Sequence, residues 1–475
     1  MANTQPSGLY AVREPIFPKD VSGFFRRMKW WIMAVTLAIY YVTPWIRWDR
    51  GPSLPDQAVL IDLAHRRFYF FWIEIWPHEF YFVAGLLVMA GLGLFLFTSA
   101  LGRVWCGYAC PQTVWTDLFI KVERWIEGDR NARVRLWNGK WDLRKVRLRL
   151  TKWTIWLLIA VATGGAWVFY FADAPTLFRD IFTLQAAPVA YTTIAILTFT
   201  TFLLGGFARE QVCIYMCPWP RIQAAMMDPE TLTIGYRHWR GEPRGKHRKA
   251  EGADELGDCI DCNACVNVCP MGIDIRDGQQ LECITCGLCI DACDDIMEKT
   301  GRDRGLVDYL ALSDEPAETA GQKPRSLWSH VFRTRTMIYF GLWSAFGVLL
   351  VYGLFIRTDI EILVSPVRNP VYVTQSDGSI RNIYDVRLRN KAGEDRLFHV
   401  SLTADDILRV ELEGREGQLV VPVPANKSVS QRVYVVARPQ DAAASNDVTG
   451  LRFWVEDLEG GERASQTTTF NGAGG

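Results

Sequence analysis

A segment needs about 20 mostly apolar residues to cross a hydrocarbon core as a helix, where the backbone must satisfy its own hydrogen bonds. Five stretches of this 475-residue chain read that way: Trp30 to about Trp48, Phe80 to Gly102, Trp153 to Ala172, a run within Ile181 to Ala208 (about 183–207), and Thr336 to Ile356. Charges bound them at Lys29, Arg103, Lys152, Arg209 and Arg357, and aromatic rings at their ends suit the membrane interface. The first is the weakest, since Arg47 cuts it short. It is also too long for a cleaved signal peptide, and no small-residue cleavage site follows it. An overall hydrophobic fraction of 49% is compatible with this only if the apolar residues are concentrated in the spans.

Basic residues set the expected orientation. Arg13, Lys19, Arg26, Arg27 and Lys29 precede or open the first span, and Arg130, Arg133, Arg135, Lys140, Arg144, Lys145, Arg147 and Arg149 crowd the loop between the second and third. The loop after the first span has only Arg50, Arg66 and Arg67, and the one after the third only Arg179. The N-terminus and the loops after spans two and four are therefore expected in the cytoplasm, and the C-terminal domain on the far side. Lys plus Arg and Asp plus Glu balance at 52 each, so nothing points to nucleic acid. The basic run reads as a topology signal.

All 12 cysteines fall on the expected cytoplasmic side or at its membrane edge, in short motifs. Clustered thiols in a reducing compartment indicate metal ligands rather than disulfides. Cys259-Ile-Asp-Cys262-Asn-Ala-Cys265-Val-Asn-Val-Cys269-Pro270 and Cys283-Ile-Thr-Cys286-Gly-Leu-Cys289-Ile-Asp-Ala-Cys293 repeat the spacing C-x2-C-x2-C-x3-C. In that ferredoxin arrangement three thiolates hold three corners of a [4Fe–4S] cube and the fourth reaches the other cluster. The expected sets are Cys259, Cys262, Cys265 and Cys293 for one cluster, and Cys283, Cys286, Cys289 and Cys269 for the other. Swapped fourth ligands place the clusters close together, as a short path for single electrons. Two structural zinc sites are the alternative, but these more often use paired knuckles separated by a longer loop. The second run ends Cys293-Asp294 rather than Cys-Pro, which leaves the ligand spacing intact.

Two further pairs close the second and fourth spans: Arg103-Val-Trp-Cys106-Gly-Tyr-Ala-Cys110-Pro111 and Arg209-Glu-Gln-Val-Cys213-Ile-Tyr-Met-Cys217-Pro218. Both read span, Arg, then C-x3-C-P, which suggests an internal repeat of two helical hairpins. Four-residue spacing puts both sulfurs on one helical face, and each proline disfavours helix at the cysteine before it. Cys106, Cys110, Cys213 and Cys217 are the candidate catalytic residues and a candidate copper site, since soft thiolates suit Cu(I); Met216 is a possible addition. The competing reading is four small apolar residues packed at helix ends. None of the six histidines, His65, His78, His238, His247, His330 and His399, lies inside a span, which argues against a haem held by two histidines.

After Arg357 the composition changes to short β-rich runs, at Val371–Thr374, Ile383–Leu388, Leu397–Leu402, Leu408–Leu412, Gln418–Val423, Gln431–Val436 and Leu451–Val455, with turn signals between them. That spacing reads as an immunoglobulin-like β-sandwich. The expected organisation is a cytoplasmic segment 1–29, a four-span core 30–208, a cytoplasmic segment 209–335 with a ferredoxin-like insert 250–300, a fifth span 336–356, and a β-sandwich 357–475.

These motifs, through Cys293-Asp-Asp295 and the β-rich tail, resemble the family of cytochrome c oxidase accessory proteins called CcoG, FixG or RdxA. The resemblance covers nearly the whole chain. It implies a multi-pass protein of the bacterial inner membrane, with clusters in the cytoplasm and a periplasmic sandwich. Its implied role is reduction of Cu(II) to Cu(I) for assembly of the cbb3-type oxidase. The implied partners are a copper chaperone or oxidase-assembly proteins and an electron donor that the sequence does not name. Two competing readings are a quinol-linked electron-transfer subunit of the NapH type and a redox-sensing assembly scaffold. The fifth span and the β-domain weigh against the NapH type.

Overall fold

The apolar runs become helices, displaced from their expected limits where charge or proline dictates. The computed structural model describes residues 15–51, 54–245, 256–403, 408–415 and 417–474, apart from the His78 side chain. Arg13 and His247 lie outside the described residues. Contacts divide the chain into two units, one running to Ile46 and then Gln57–Leu350, the other Arg47–Asp56 with Val351 onward.

The helices of the first unit are α1 (Phe24–Val42), α2 (Tyr81–Leu101), α3 (Val104–Tyr108), α4 (Pro111–Glu127), α5 (Arg130–Asn138), α6 (Leu143–Val168), α7 (Ala174–Phe182), α8 (Pro188–Thr201) and α9 (Trp219–Met226). They continue with α10 (His238–Gly241), α11 (Ala264–Val268), α12 (Leu288–Lys299), α13 (Glu315–Thr319), α14 (Leu327–Val331) and α15 (Thr334–Phe355), whose last turn passes into the second unit. The segments Tyr81–Leu101, Pro188–Ala208 and Thr334–Phe355 are long and apolar enough to cross a membrane. The second and fifth expected spans match α2 and α15 closely. The fourth is split, because Ile181 belongs to α7 and Pro188 starts α8 at its first turn, where the missing N–H costs nothing.

The first and third spans shift toward the N-terminus. Helix α1 takes in Arg26 and Lys29, which are buried against Asp117 of α4 at 2.9 and 3.9 Å. Asp291 of α12 caps its start, accepting from the backbone N–H of Phe25 (3.2 Å) and Arg26 (2.7 Å). Helix α6 starts at Leu143, where Asp142 accepts from the Lys145 N–H at 2.7 Å, well before the expected Trp153. Its early cations have buried acidic partners: Lys152 lies 3.1 Å from Glu123 and 2.9 Å from Glu127, and Arg149 lies 3.1 Å from Glu127. Arg133 (3.0 Å) and Arg209 also pair with Glu123, tying α4, α5, α6 and the turn that follows α8 together.

Between α1 and α2 lies an antiparallel sheet absent from the sequence expectations, β1 (Val59–Asp62), β2 (Arg67–Phe70) and β3 (Ile73–Ile75). Strands β4 (Thr233–Tyr236) and β5 (Val307–Leu310) pair antiparallel and so close the base of the cysteine-rich segment between them.

The second unit is a two-sheet sandwich. One sheet runs β10 (Leu408–Leu412), β12 (Ser428–Ala437), β8 (Ile380–Asn390), β6 (Ile360–Pro366), with β7 (Val373–Thr374) on β8; the other runs β11 (Val420–Val423), β9 (Arg396–Leu402), β13 (Val448–Asp457), β14 (Arg463–Asn471). Alternate residues point inward, and Tyr384, Val386, Leu388, Phe398, Val400 and Phe453 are fully buried between the sheets. Strands β6 and β14 had no counterpart among the expected runs.

Candidate functional site

The two cysteine runs fold as two copies of one turn. Asp261 (φ 53°) and Asn263 (φ 56°) in the first are matched by Thr285 (φ 53°) and Gly287 (φ 73°) in the second. Left-handed residues at equivalent positions coil each loop, and α11 and α12 follow at Ala264 and Leu288. Successive backbone amides in such a turn form a concave nest suited to an anionic centre. Three of these four positions lack glycine, so the surrounding structure holds them in a conformation that side chains disfavour.

The thiols gather around two apolar cavities. One is lined by Cys259, Cys262, Cys265 and Cys293, with Tyr236 and Leu306 among its walls. The other is lined by Cys269, Cys283, Cys286 and Cys289, with Cys265 at its margin and Ile234, Ile284 and Leu288 around it. The grouping is the one the swapped-ligand pattern calls for. Burial pushes the thiols of Cys265 and Cys283 up to about 11, and those of Cys269 and Cys293 up to about 12, with neighbouring thiols adding to the effect. Such groups stay protonated in neutral water and ionise when a metal replaces the proton. Among the described residues no three His, Cys, Asp or Glu side chains converge on a point fit for a single ion. The all-sulfur donor set around a walled apolar space fits a [4Fe–4S] cube.

The four cysteines of the two C-x3-C-P pairs also come together. Cys213 lies close enough to Cys106, Cys110 and Cys217 to feel all three, and burial with these neighbours raises it to about 12; Cys106 is raised to about 11, with Arg103 opposing. The expected shared helical face does not form. Cys106 sits in α3, while Cys110 is the extended residue before Pro111, which opens α4; Cys213 lies in a π-turn (Val212–Met216) and Cys217 is extended before Pro218. The restriction that proline places on its predecessor breaks each pair across a turn. The four thiols are neighbours without being drawn to one point, and Met216 is exposed. π-Turns of this kind recur at functional sites, and a second one, Phe202–Ala208, ends the fourth apolar segment.

The two thiol regions share a wall. Cys106, Cys213 and Ile214 pack against buried Met271, Ile284, Cys286 and Leu288. Gly107 lies against the second cysteine loop so closely that a β-carbon would sit 2.6 Å from the Ile284 carbonyl oxygen. The Arg103 N–H donates to Thr285 Oγ1 at 3.0 Å, and its guanidinium donates to the Leu281 carbonyl. Tyr108 Oη donates to the Cys286 carbonyl (2.9 Å) and Tyr309 Oη to that of Thr285 (3.0 Å). The Cys106 thiol donates to Gln223 Oε1 at 3.1 Å; fully buried Gln223 in turn donates to Thr98 Oγ1 at 3.2 Å. Gln112 Nε2 donates to the carbonyls of Leu204 (2.9 Å) and Arg209 (3.1 Å), joining the two hairpins.

A family model described as a 4Fe–4S dicluster domain matches residues 208–312, and one described as a 4Fe–4S binding domain matches 82–132. The model for the Ig-like fold at the C-terminus of FixG matches residues 350–473. RdxB of Cereibacter sphaeroides is 68% identical over 473 residues, covering 99% of each chain. RdxA of the same organism is 61% identical over 98% of this chain and 99% of its own, and the nitrogen fixation protein FixG of Rhizobium meliloti is 55% identical over 98% and 94%. The chain belongs to the FixG/RdxA family. A FixG-related protein of known structure from Vibrio parahaemolyticus aligns with 25% of this chain and 99% of its own, at 13% identity and a TM-score of 0.22.

This FixG-family chain is thus an iron–sulfur protein of the electron-transfer kind, with helices suited to a membrane. Gln223, Tyr108 and Tyr309 carry no signal in the sequence, since a lone Gln or Tyr has no spacing partner. His330 is buried between Asp314 (2.8 Å) and Glu230 (3.1 Å).

Proposed function

We propose that this FixG-family protein reduces Cu(II) to Cu(I) at the cytoplasmic edge of the bacterial inner membrane, drawing electrons from two [4Fe–4S] clusters, to supply copper for assembly of a cbb3-type oxidase. In this reading the chain crosses the membrane five times, α1 and α6 completing the set, with its sandwich in the periplasm. Cys259, Cys262, Cys265 and Cys293 hold one cluster, and Cys269, Cys283, Cys286 and Cys289 the other. When bound, the clusters store and pass single electrons. Cys106, Cys110, Cys213 and Cys217 form the copper-facing surface. Cu(II) accepts one electron there and becomes Cu(I), the ion that soft thiolates bind better. Gln223 and Arg103 orient Cys106 toward that task. A copper chaperone or an oxidase-assembly protein then takes the reduced ion.

The observation that carries this reading is the shared wall. Cys106 and Cys213 pack on the loop bearing Cys283 and Cys286, with Gly107 in backbone contact between them. The test is a strain lacking the gene, complemented with wild type or with the Cys106/Cys110/Cys213/Cys217→Ser protein. Oxidase activity is expected to recover with the wild type, or with added copper, and not with the quadruple variant at ordinary copper. Recovery with the variant overturns the copper role.

A second reading has a specific observation in its favour, the 4Fe–4S binding match over residues 82–132, which contain Cys106 and Cys110. There the four edge thiols hold a further cluster. Iron content separates the two: the quadruple variant keeps the wild-type iron in the copper reading and loses about a third of it if these thiolates hold a third cube.

A further inference from the structure

One cavity belongs to neither thiol region. It has a volume of about 470 Å³ and lies beside the first turns of α6. Lys145, Arg149 and Lys152 line it at helical spacing, so one face of α6 presents all three. Arg209 joins them from the turn after α8. Each cation lies over an indole: Lys145 is 4.9 Å from the Trp141 ring, Arg149 is 5.6 Å from Trp137, and Lys152 and Arg209 are 4.7 and 5.4 Å from Trp156. A cavity walled by cations and aromatic rings suits a ligand that is anionic at one end and apolar at the other.

The charges around it are unequal. Lys152, Arg209 and Arg133 share Glu123, and Arg149 and Lys152 share Glu127. With Lys145 and the lining Glu210, cations outnumber carboxylates five to three. Lys145 donates to the carbonyl oxygens of Trp137 (3.0 Å) and Gly139 (2.7 Å). Depth completes the case. Phe207 lines the cavity, and Leu203, Phe199 and Ile196, which continue its face along the apolar segment Pro188–Ala208, are exposed. A soluble anion would use the cations but not this apolar continuation.

We propose that the cavity binds the phosphodiester headgroup of an anionic phospholipid, its acyl chains running along the exposed apolar face of Pro188–Ala208. The proposal rests on the reading of that segment as a membrane-crossing one. Its consequence reaches the thiol region, because Arg209 and Glu210 also wall a small neighbouring cavity bounded by Cys213 and Met271. A bound headgroup braces the turn that carries Cys213 and Cys217.

The test uses the full-length, cluster-loaded protein in detergent, titrated with phosphatidylglycerol, phosphatidylcholine or inorganic phosphate. Retained lipid is counted by native mass spectrometry and thermal unfolding is followed in parallel. Wild type is expected to prefer phosphatidylglycerol. Lys145→Gln weakens that preference about fivefold, the worth of one basic residue at an anionic headgroup, and Lys145→Arg restores it, with cluster absorbance unchanged in both. If Lys145→Gln accumulates poorly, Trp141→Ala serves, and the wild-type comparison stands without either. Equal retention of the two lipids overturns the proposal, as does stabilisation by inorganic phosphate alone, which makes the cavity a soluble-anion site. Loss of copper reduction with the lipid preference intact sinks the copper reading and leaves this one standing.

Discussion

Gly107 separates two surfaces that must nearly touch, and its missing side chain is the reason they do. Gly107→Ala places a methyl group 2.6 Å from the Ile284 carbonyl oxygen, so one loop has to move. Overpacking of this sort costs about 1–3 kcal/mol. The expected result is a lower unfolding temperature and slower electron passage to copper, with iron content retained. Cys106 and Cys213 set a pH dependence. Burial pushes their thiols up to about 11 and 12, so under the proposed copper role each releases a proton at neutral pH when it takes Cu(I). Affinity therefore rises with pH, by up to about tenfold per unit for each thiol that ionises; competition with a Cu(I) chelator across the neutral range reads the slope. At this scale the sequence was most legible where residues repeat. Eight cysteines at fixed spacing name their own grouping, but Gln223 beside Cys106 emerges only from the fold, because its partner lies far away along the chain.

Helices α4, α5, α6 and the turn that follows α8 meet at one buried carboxylate. Glu123 is held down to about 2, against an ordinary 4.5, by Arg209, Lys152 and Arg133, which outweigh the cost of its burial. Its folded value is depressed, so the stability it contributes is complete above the unfolded value and lost as pH falls from there toward 2. Glu123→Ala takes the carboxylate partner from Arg133 and Arg209 and leaves Lys152 with Glu127 alone; it is expected to cost about 3–5 kcal/mol, read as a drop in the unfolding temperature. This network also explains why two helices began earlier than their apolar runs suggested. Cations at the start of α1 and α6 look like a boundary in one dimension, yet Asp117, Glu123 and Glu127 make helical positions for them. The β1–β3 sheet is not legible in the sequence because its strands are short and carry charges such as Arg67 and Glu74, which pair with each other at 2.9 Å only once the strands are side by side. Strand β14, with three consecutive threonines and Phe470 as its most buried residue, lacks the apolar alternation that revealed its neighbours.

Over the whole molecule, the cysteines and the β-sandwich fall in different units. All 12 cysteines precede residue 294, and the sandwich buries its own core of residues from both sheets. Residues 357–475 expressed alone are therefore expected to fold, with the same unfolding midpoint in the presence and absence of reductant, as circular dichroism would record. In the other unit, the proposed path takes electrons from two clusters ligated by eight cysteines to Cu(II) at four more cysteines. The direct measurement is stopped-flow absorbance of anaerobic, full-length protein, reduced in advance and mixed with Cu(II), for wild type and for the Cys106/Cys110/Cys213/Cys217→Ser variant with its iron content verified. Rapid cluster reoxidation in the wild type that slows by orders of magnitude in the variant is the expected result. Equal rates in the two proteins would contradict the passage of electrons to copper through the membrane-edge thiols.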